Sequence, residues 1–485
     1  MRLSPIFRLI AGTTLIRLAF AATTGLGMDE SYMVTAGRVF CLGYFDHPPA
    51  SWWLSWGAAH LFGTEAPWAV RLPFILLFAI SQFLLWRITR VIADQRAAYW
   101  AVVALNLSPV FGVTTGSWVL PDGPLDAALL GAALCLLHAL PATTWRRAWG
   151  WWGAAGLCAG LALFSKYSAV LTIGGAFLYL LTSRPHRRWL ARPEPYVAAV
   201  LALAVFSPVL IWNATHGWAS FAFQGDRAAG LRFRPLMPIQ VLGGEALFVL
   251  PWVWLPMMIL FVRGFRQAWP ERLLVWLAAL PIVAFALISA WSSQRILYHW
   301  AAPGYLMLFP LLGRAIAERT CVAWVRRVVA GSVVLLLTSM AVIATQIQFD
   351  WLGGALATVM HEDPTAEGLD WTSLRHDLTE RGMLPTGTVV GVLNWRDAGK
   401  IGYALGPGAT TLCLCTDSRQ FGFAHPLRDF AGQTLLLLVP DPAQHGIEEA
   451  KRWFRTREIL PSASVRLDGR VLRTITVIRG EGLHP

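Results

Sequence analysis

Charge is what this sequence has least of. Asp, Glu, Lys and Arg make up 14% of its 485 residues while 56% are hydrophobic, against about 25% charged in a soluble globular chain. That excludes an ordinary soluble enzyme and makes lipid the main solvent. Lysine is scarcer still: only Lys166, Lys400 and Lys451, so that 37 of the 40 basic residues are Arg. These Arg are spread over short segments between apolar runs. The net charge of +12 therefore reads as a set of topology signals, not as a nucleic-acid surface. The six Cys, at 41, 135, 158, 321, 413 and 415, show no metal spacing and no disulfide framework. Cys413 and Cys415 stand too close together on an expected strand to bridge each other easily. No internal repeat or low-complexity segment is evident.

What is present is a succession of apolar runs. Eleven stretches, near 6–26, 67–86, 97–114, 123–141, 149–164, 168–183, 196–213, 237–262, 273–291, 300–317 and 328–348, have a length compatible with spanning, roughly 17 to 25 residues each. With the N-terminus cytoplasmic, eighteen basic residues fall on the inner side and seven on the outer. The positive-inside rule selects that orientation and puts the C-terminus outside. Ala19-Phe20-Ala21 fits a signal-peptide cleavage pattern, but Arg17 interrupts the apolar core and removal would leave an even span count at odds with the charge bias. The first span is expected to be retained. From Asp350 onward the composition changes, with 16 of the 28 acidic residues in this part. Short β-like runs at 388–393, 411–414, 434–439 and 464–478 and a helical stretch at 446–454 predict a small extracytoplasmic α/β domain, with no assignable motif. The expected architecture is thus a polytopic α-helical membrane domain over 1–349, with a long first outer loop at 27–66, followed by a soluble domain over 350–485.

Charges near lipid are costly, so the loops that hold them are informative. The first outer loop opens Met28-Asp29-Glu30-Ser31-Tyr32 and continues to Gly43-Tyr44-Phe45-Asp46-His47-Pro48-Pro49. The Trp-rich run 50–62 suits a helix lying in the membrane interface. Further on stand Val70-Arg71-Leu72-Pro73, Pro121-Asp122-Gly123-Pro124-Leu125, Ser165-Lys166-Tyr167-Ser168 and Tyr298-His299-Trp300 with Pro303. Taken together, over about residues 10–315, these segments resemble glycosyltransferase family 39. This is the GT-C group that includes protein O-mannosyltransferases and the bacterial lipid A aminoarabinose and galacturonosyl transferases.

The resemblance implies a GT-C fold and transfer of a sugar from a polyprenyl-phosphate donor, with inversion, on the periplasmic face of a bacterial inner membrane. The acceptor expected is lipid A, lipopolysaccharide core or a related glycolipid. Asp29 matches the family's catalytic Asp, and a carboxylate is the right base for a hydroxyl acceptor; the bland alternative is that it caps a helix. Glu30 is expected to orient the acceptor or make a structural bond. Departing phosphate needs cations, and Lys166 with Tyr167, Arg227, Arg71 and His47 are the donor-phosphate candidates. Interfacial snorkelling is the other reading of Lys166, and Arg232 and Arg234 share the loop of Arg227. His47 departs from the Glu-Lys that the aminoarabinose transferases carry at Asp46-His47. Asp122, Asp46, Tyr298 and His299 are the substrate-binding candidates, with a simple Pro-Asp-Gly-Pro turn as the alternative for Asp122. No cofactor is required; Asp46, His47 and His299 are the set that would hold a divalent metal if there is one. The expected partners are the donor, a lipid acceptor and membrane lipids, with no nucleic acid. The rival readings are a protein O-mannosyltransferase, a lipid or sugar transporter, which would need charges along the middle of several spans, and a scaffold protein in which the Asp29 loop is dispensable.

Overall fold

The computed structural model describes residues 4–228, 233–292, 296–355, 358 and 363–485, the side chains of residues 227 and 228 excepted. Among the described residues up to 349, the chain forms helices joined by turns and loops, with no strand. Its helices are α1 (Pro5–Thr23), α2 (Met28–Ala36), α3 (Ala50–Phe62), α4 (Pro67–Ile92), α5 (Gln95–Leu107), α6 (Asp122–Ala139), α7 (Trp145–Ser165), α8 (Ala169–Thr182), α9 (Glu194–Thr215), α10 (Ala219–Ala228), α11 (Met237–Val249), α12 (Pro251–Gly264), α13 (Glu271–Ile288), α14 (Ala302–Leu306), α15 (Phe309–Arg319) and α16 (Ala323–Phe349). Among the described residues six of these, α1, α4, α6, α9, α13 and α16, are long and apolar enough to cross a membrane. The pair α11 and α12, bent by 116°, makes a seventh if taken as one broken span.

The difference from eleven apolar runs has local causes. The run at 97–114 stops as an α-helix at Leu107, because Ser108 precedes Pro109 and is held extended. The run at 300–317 divides into α14 and α15. Between α11 and α12, Leu250 lies at φ 82°, before Pro251, and breaks the helical path.

Contacts divide the chain into two compact units, one of Met1–Leu18, Leu42–Ser51 and Leu72–Leu337, the other of Ala19–Cys41, Trp52–Arg71 and Thr338–Pro485. In the first, α7 and α9 approach through Gly156 and Gly160, where an added Cβ would stand 2.3 Å from the Ala198 carbonyl oxygen and 2.9 Å from the Ala202 Cα. This is the small-residue spacing by which helices associate in lipid. Val200, Leu203 and Ile211 of α9, Val262 of α12 and Val334 of α16 are exposed, as lipid-facing side chains are. Arg17, inside α1, is buried and partnered through its two terminal nitrogens: it donates to the Asn106 Oδ1 at 2.9 Å and to the Thr13 carbonyl at 2.9 Å, and stacks over Phe78.

The second unit contains a five-stranded sheet. Its remaining elements are α17 (Thr372–Glu380), β1 (Val389–Val392), α18 (Trp395–Leu405), β2 (Thr410–Cys413), α19 (Gln420–Ala424), β3 (Leu435–Pro440), α20 (Gln444–Trp453), β4 (Phe454–Leu467) and β5 (Arg470–Leu483). The strand order is β2-β1-β3-β5-β4. Strands β1, β2 and β3 are parallel, while β5 pairs antiparallel to both β3 and β4. The small α/β fold expected from the sequence is present, with one boundary corrected. The run at 464–478 is the end of a hairpin that turns at Asp468 and Gly469, both at positive φ, as a two-residue turn between twisted strands requires. A second correction concerns the cysteines: Cys413 and Cys415 are disulfide-bonded. Strand β2 ends at Cys413 and the chain bends at Cys415, which brings the two Cα atoms to 5.5 Å, inside bonding range.

Candidate active site

The second unit holds Asp29. Helix α2 begins at Met28, and its cap is closed by Glu30, whose Oε2 accepts the Gly27 N–H at 2.9 Å. Asp29 is therefore not the capping residue. Consecutive side chains on a helix point about 100° apart, so when Glu30 turns inward Asp29 turns out. Its carboxylate is exposed, at a helix N-terminus where the backbone dipole favours negative charge. The protein packed around it nonetheless raises the carboxyl above the ordinary carboxylate range, with Glu30 adding to the rise and Arg396 and Arg419 opposing it.

Glu30 makes a structural bond. Arg71 donates to its two oxygens at 2.8 and 2.6 Å, and both side chains are 2% exposed. The same guanidinium donates to the Thr24 carbonyl and hydroxyl, each at 2.9 Å, and to the Gly25 carbonyl at 2.7 Å. All five of its N–H groups are thereby engaged. Arg71, expected at the donor phosphate, has no donor left for one and is corrected to a brace under α2.

The sheet domain completes this brace. Lys400, fully buried on α18, donates to the Leu26 carbonyl and, at 2.9 Å, to the Glu367 carbonyl. Asp370 Oδ1 accepts the Leu26 N–H at 3.2 Å, and Gly25 N–H reaches the Gly368 carbonyl at 2.8 Å. Thr35 Oγ1 donates to the Gly399 carbonyl at 2.9 Å. Helix α18 lies so close to α2 that a Cβ on Gly399 would meet the Tyr32 backbone at 2.6 Å. Burial lowers the Lys400 ammonium to about 8, against the pull of Asp370 and Glu30. Sequence reading missed Lys400, Asp370, Arg396 and Arg419 because the domain carries no motif. The one available signal was the rarity of lysine.

In the first unit, the Pro121–Pro124 run is the first turn of α6 rather than a loop turn, prolines being tolerated there. Asp122 is buried and accepts from Lys166 Nζ at 2.8 Å. Lys166 is itself buried, which removes the snorkelling alternative. His299 and His47 also act electrostatically on Asp122. Asp46 is buried, its carbonyl accepting from Gln224 at 2.6 Å, and it acts electrostatically on Tyr167, whose hydroxyl bonds Ser220 at 2.6 Å. Asp122, Lys166, His47 and His299 are thus brought together, with Asp46 beside Tyr167. Tyr298 packs its ring on Gly244 of α11. Arg227 is on α10, but its side chain, like Arg232, lies outside the described residues. Among the described residues, no group of three or more His, Cys, Asp or Glu is arranged to hold a metal ion. The sequence reading did not single out Glu245 of α11, a buried carboxylate that accepts from the Tyr305 hydroxyl at 2.5 Å.

Residues 46–212 match the family described as dolichyl-phosphate-mannose-protein mannosyltransferase. The chain is 25% identical to the lipid A galacturonosyltransferase RgtD of Rhizobium johnstonii over 316 residues, 61% of this chain, and it spans 62% of the length of that relative. The fold is similar to that of ArnT from Cupriavidus metallidurans, in the apo state and bound to undecaprenyl phosphate, with TM-scores of 0.67 and 0.66. Each likeness covers 97% of both chains at 15% identity. The resemblance to glycosyltransferase family 39 and its GT-C fold is borne out, and the chain is related in sequence and fold to glycosyltransferases of that type.

Proposed function

We propose that this chain transfers a sugar from a polyprenyl-phosphate donor to an envelope glycolipid of the lipid A or lipopolysaccharide-core class. It works in a bacterial inner membrane with its N-terminus cytoplasmic and its site periplasmic. The observation that carries the reading is the contrast on the first turn of α2, where Glu30 is locked into a buried ion pair and Asp29 is left open at the helix end. A base must be held rigidly and still reach its substrate.

In the reaction an acceptor hydroxyl attacks the anomeric carbon and its proton passes to Asp29. The bond from that carbon to the phosphate oxygen breaks with inversion, and the polyprenyl phosphate leaves as an anion. Lys166 stabilises that anion by charge-assisted hydrogen bonding, two of its three N–H groups remaining beyond the one given to Asp122. The kinship to RgtD supports a lipid A acceptor, and ArnT with undecaprenyl phosphate bound supports the donor class. A protein acceptor is favoured only by the description of the family matched by residues 46–212. No cofactor is part of this reading. Transfer that stops on adding a chelator and returns with a divalent ion would add a metal to it.

The test is mass spectrometry of lipid A, core oligosaccharide and glycoproteins from cells carrying the wild type or Asp29→Asn at equal levels. Loss of one sugar mass from a glycolipid, with donor lipid accumulating, is expected. Loss from glycoproteins alone would replace the acceptor, and no change in either would overturn the transferase reading.

A further inference from the structure

The side chains that surround Asp29 from the sheet domain are cationic and aromatic. Asp29 and Tyr32, three residues apart, share one face of α2. The Tyr32 ring meets Trp395 edge-on at 5.0 Å and Phe421 at 5.7 Å, and its hydroxyl accepts the Gln420 N–H at 3.1 Å. The start of α18 and the start of α19 are thereby fixed against the base. Each brings an arginine. Arg396, next to Trp395 on α18, is exposed. Arg419 lies with its guanidinium carbon 3.5 Å from the centre of the Trp395 ring, near the exposed carboxylate of Asp417 at 3.5 Å. A guanidinium flat on an aromatic face is pre-oriented, with its fork held for planar or tetrahedral oxyanions.

Both arginines oppose a function that Asp29 needs, since positive charge beside a general base weakens it. An anion bound between them would cancel that effect at the moment the acceptor arrives. In an inverting displacement the base and the leaving group stand on opposite faces of the sugar, so cations beside the base serve the acceptor and not the departing donor phosphate. We infer that Arg396 and Arg419 form an anion subsite beside Asp29 that binds a phosphomonoester on the acceptor glycolipid. The inference rests on the reading of Asp29 as the base.

The charged groups that act on Asp29 are Arg396 from α18, Arg419 from the turn before α19 and, more weakly, Glu30 from α2. Occupation of the subsite offsets the two guanidinium charges and strengthens the base. The coupling makes turnover depend on the acceptor's phosphate as well as on its hydroxyl.

The experiment uses the full-length protein in nanodiscs and native mass spectrometry, with bisphosphorylated lipid A and its enzymatically dephosphorylated form as the two probes. Wild type is expected to bind the phosphorylated form at least about tenfold more tightly. The pair Arg396→Gln with Arg419→Gln is expected to bring that ratio near one, and Arg419→Lys, which keeps the charge, to hold most of it. Arg396→Gln alone, at an exposed position, removes the concern that a failed fold explains the loss. Equal binding of the two lipids by wild type, or an unchanged ratio in the double variant, would overturn the subsite. Asp29→Asn separates the two readings. An inactive variant with the ratio intact supports both, whereas an active one removes the base assignment and leaves the lipid ratio to judge the arginines.

Discussion

At Asp29 and Glu30 two adjacent carboxylates are given opposite surroundings by one helical step. Glu30 meets Arg71 in a buried, bidentate pair. Removing one partner of such a pair leaves a buried charge without compensation, which costs about 3–5 kcal/mol. Arg71→Ala is therefore expected to lower the unfolding midpoint measured in detergent and to abolish transfer. Glu30→Gln with Arg71→Met is expected to recover stability more than activity. As a general base Asp29 would act only when ionised, and its carboxyl is raised by the protein packed around it. Activity is then lost as pH falls through that raised value. The acid limb of the kcat/KM profile is expected above the ordinary Asp value of about 3.9, and an acid limb at or below it would place Asp29 elsewhere in the scheme. Lys166→Ala is expected to raise the donor concentration needed for half-maximal rate by about tenfold or more. The acceptor dependence should be little changed, and Lys166→Arg should restore part of the loss. Asp29, Asp122 and Lys166 drew notice in the sequence because charged residues are unusual at the ends of apolar runs. Arg71 was misread because its partner Glu30 lies 41 residues away in sequence.

Helix α18 is the element that the sequence disclosed least, although it lies directly on α2. Its contacts run to a segment more than 360 residues earlier, and nothing in a local hydrophobic pattern reports a partner so distant. Gly399→Ala would force a methyl into the Tyr32 backbone, an overpacking that costs about 1–3 kcal/mol. Purified protein is expected to show reduced kcat with the donor KM nearly unchanged, because Asp29 moves while the Lys166 cluster does not. Lys400 gives the helix a pH signature. Its pKa falls from 10.5 unfolded to about 8 folded, so between those values the unfolded chain holds the extra proton. The stability it contributes is fully present above 10.5, declines as pH drops through the window and is constant below about 8, with a slope approaching 1.4 kcal/mol per pH unit. Lys400→Met is expected to flatten that slope in denaturation curves, and an unchanged slope would show the lysine to be hydrated. The apolar runs were easier to read, since their existence follows from composition, but their breaks at Ser108, Leu250 and the α14–α15 junction depend on proline neighbours that interrupt a hydrophobic stretch without making it polar.

For the molecule as a whole, the arginine bias proposes an orientation that two cysteine sites test. Cys321 is exposed in a segment rich in Arg, whereas Cys413 and Cys415 are paired, as thiols are in an oxidising compartment. An impermeant thiol reagent applied to intact spheroplasts is expected to leave Cys321 unmodified and to label it once the membrane is opened. Labelling of Cys321 before opening would reverse the topology. The class of the protein was legible from its scarcity of charge, whereas its division into compact units was not, because one unit gathers Ala19–Cys41, Trp52–Arg71 and Thr338–Pro485 from separate stretches of chain. That discontinuity sets a clock on biogenesis. Helix α2 leaves the ribosome some 360 residues before α18 does, and at about 5–20 residues per second the wait is roughly 20–70 s. Through that interval Lys400 does not yet exist to hold Leu26, and the start of α2 lacks that support. A chain cut short before α18 is therefore expected to keep the Lys166–Asp122 pair while lacking the contacts that hold the start of α2.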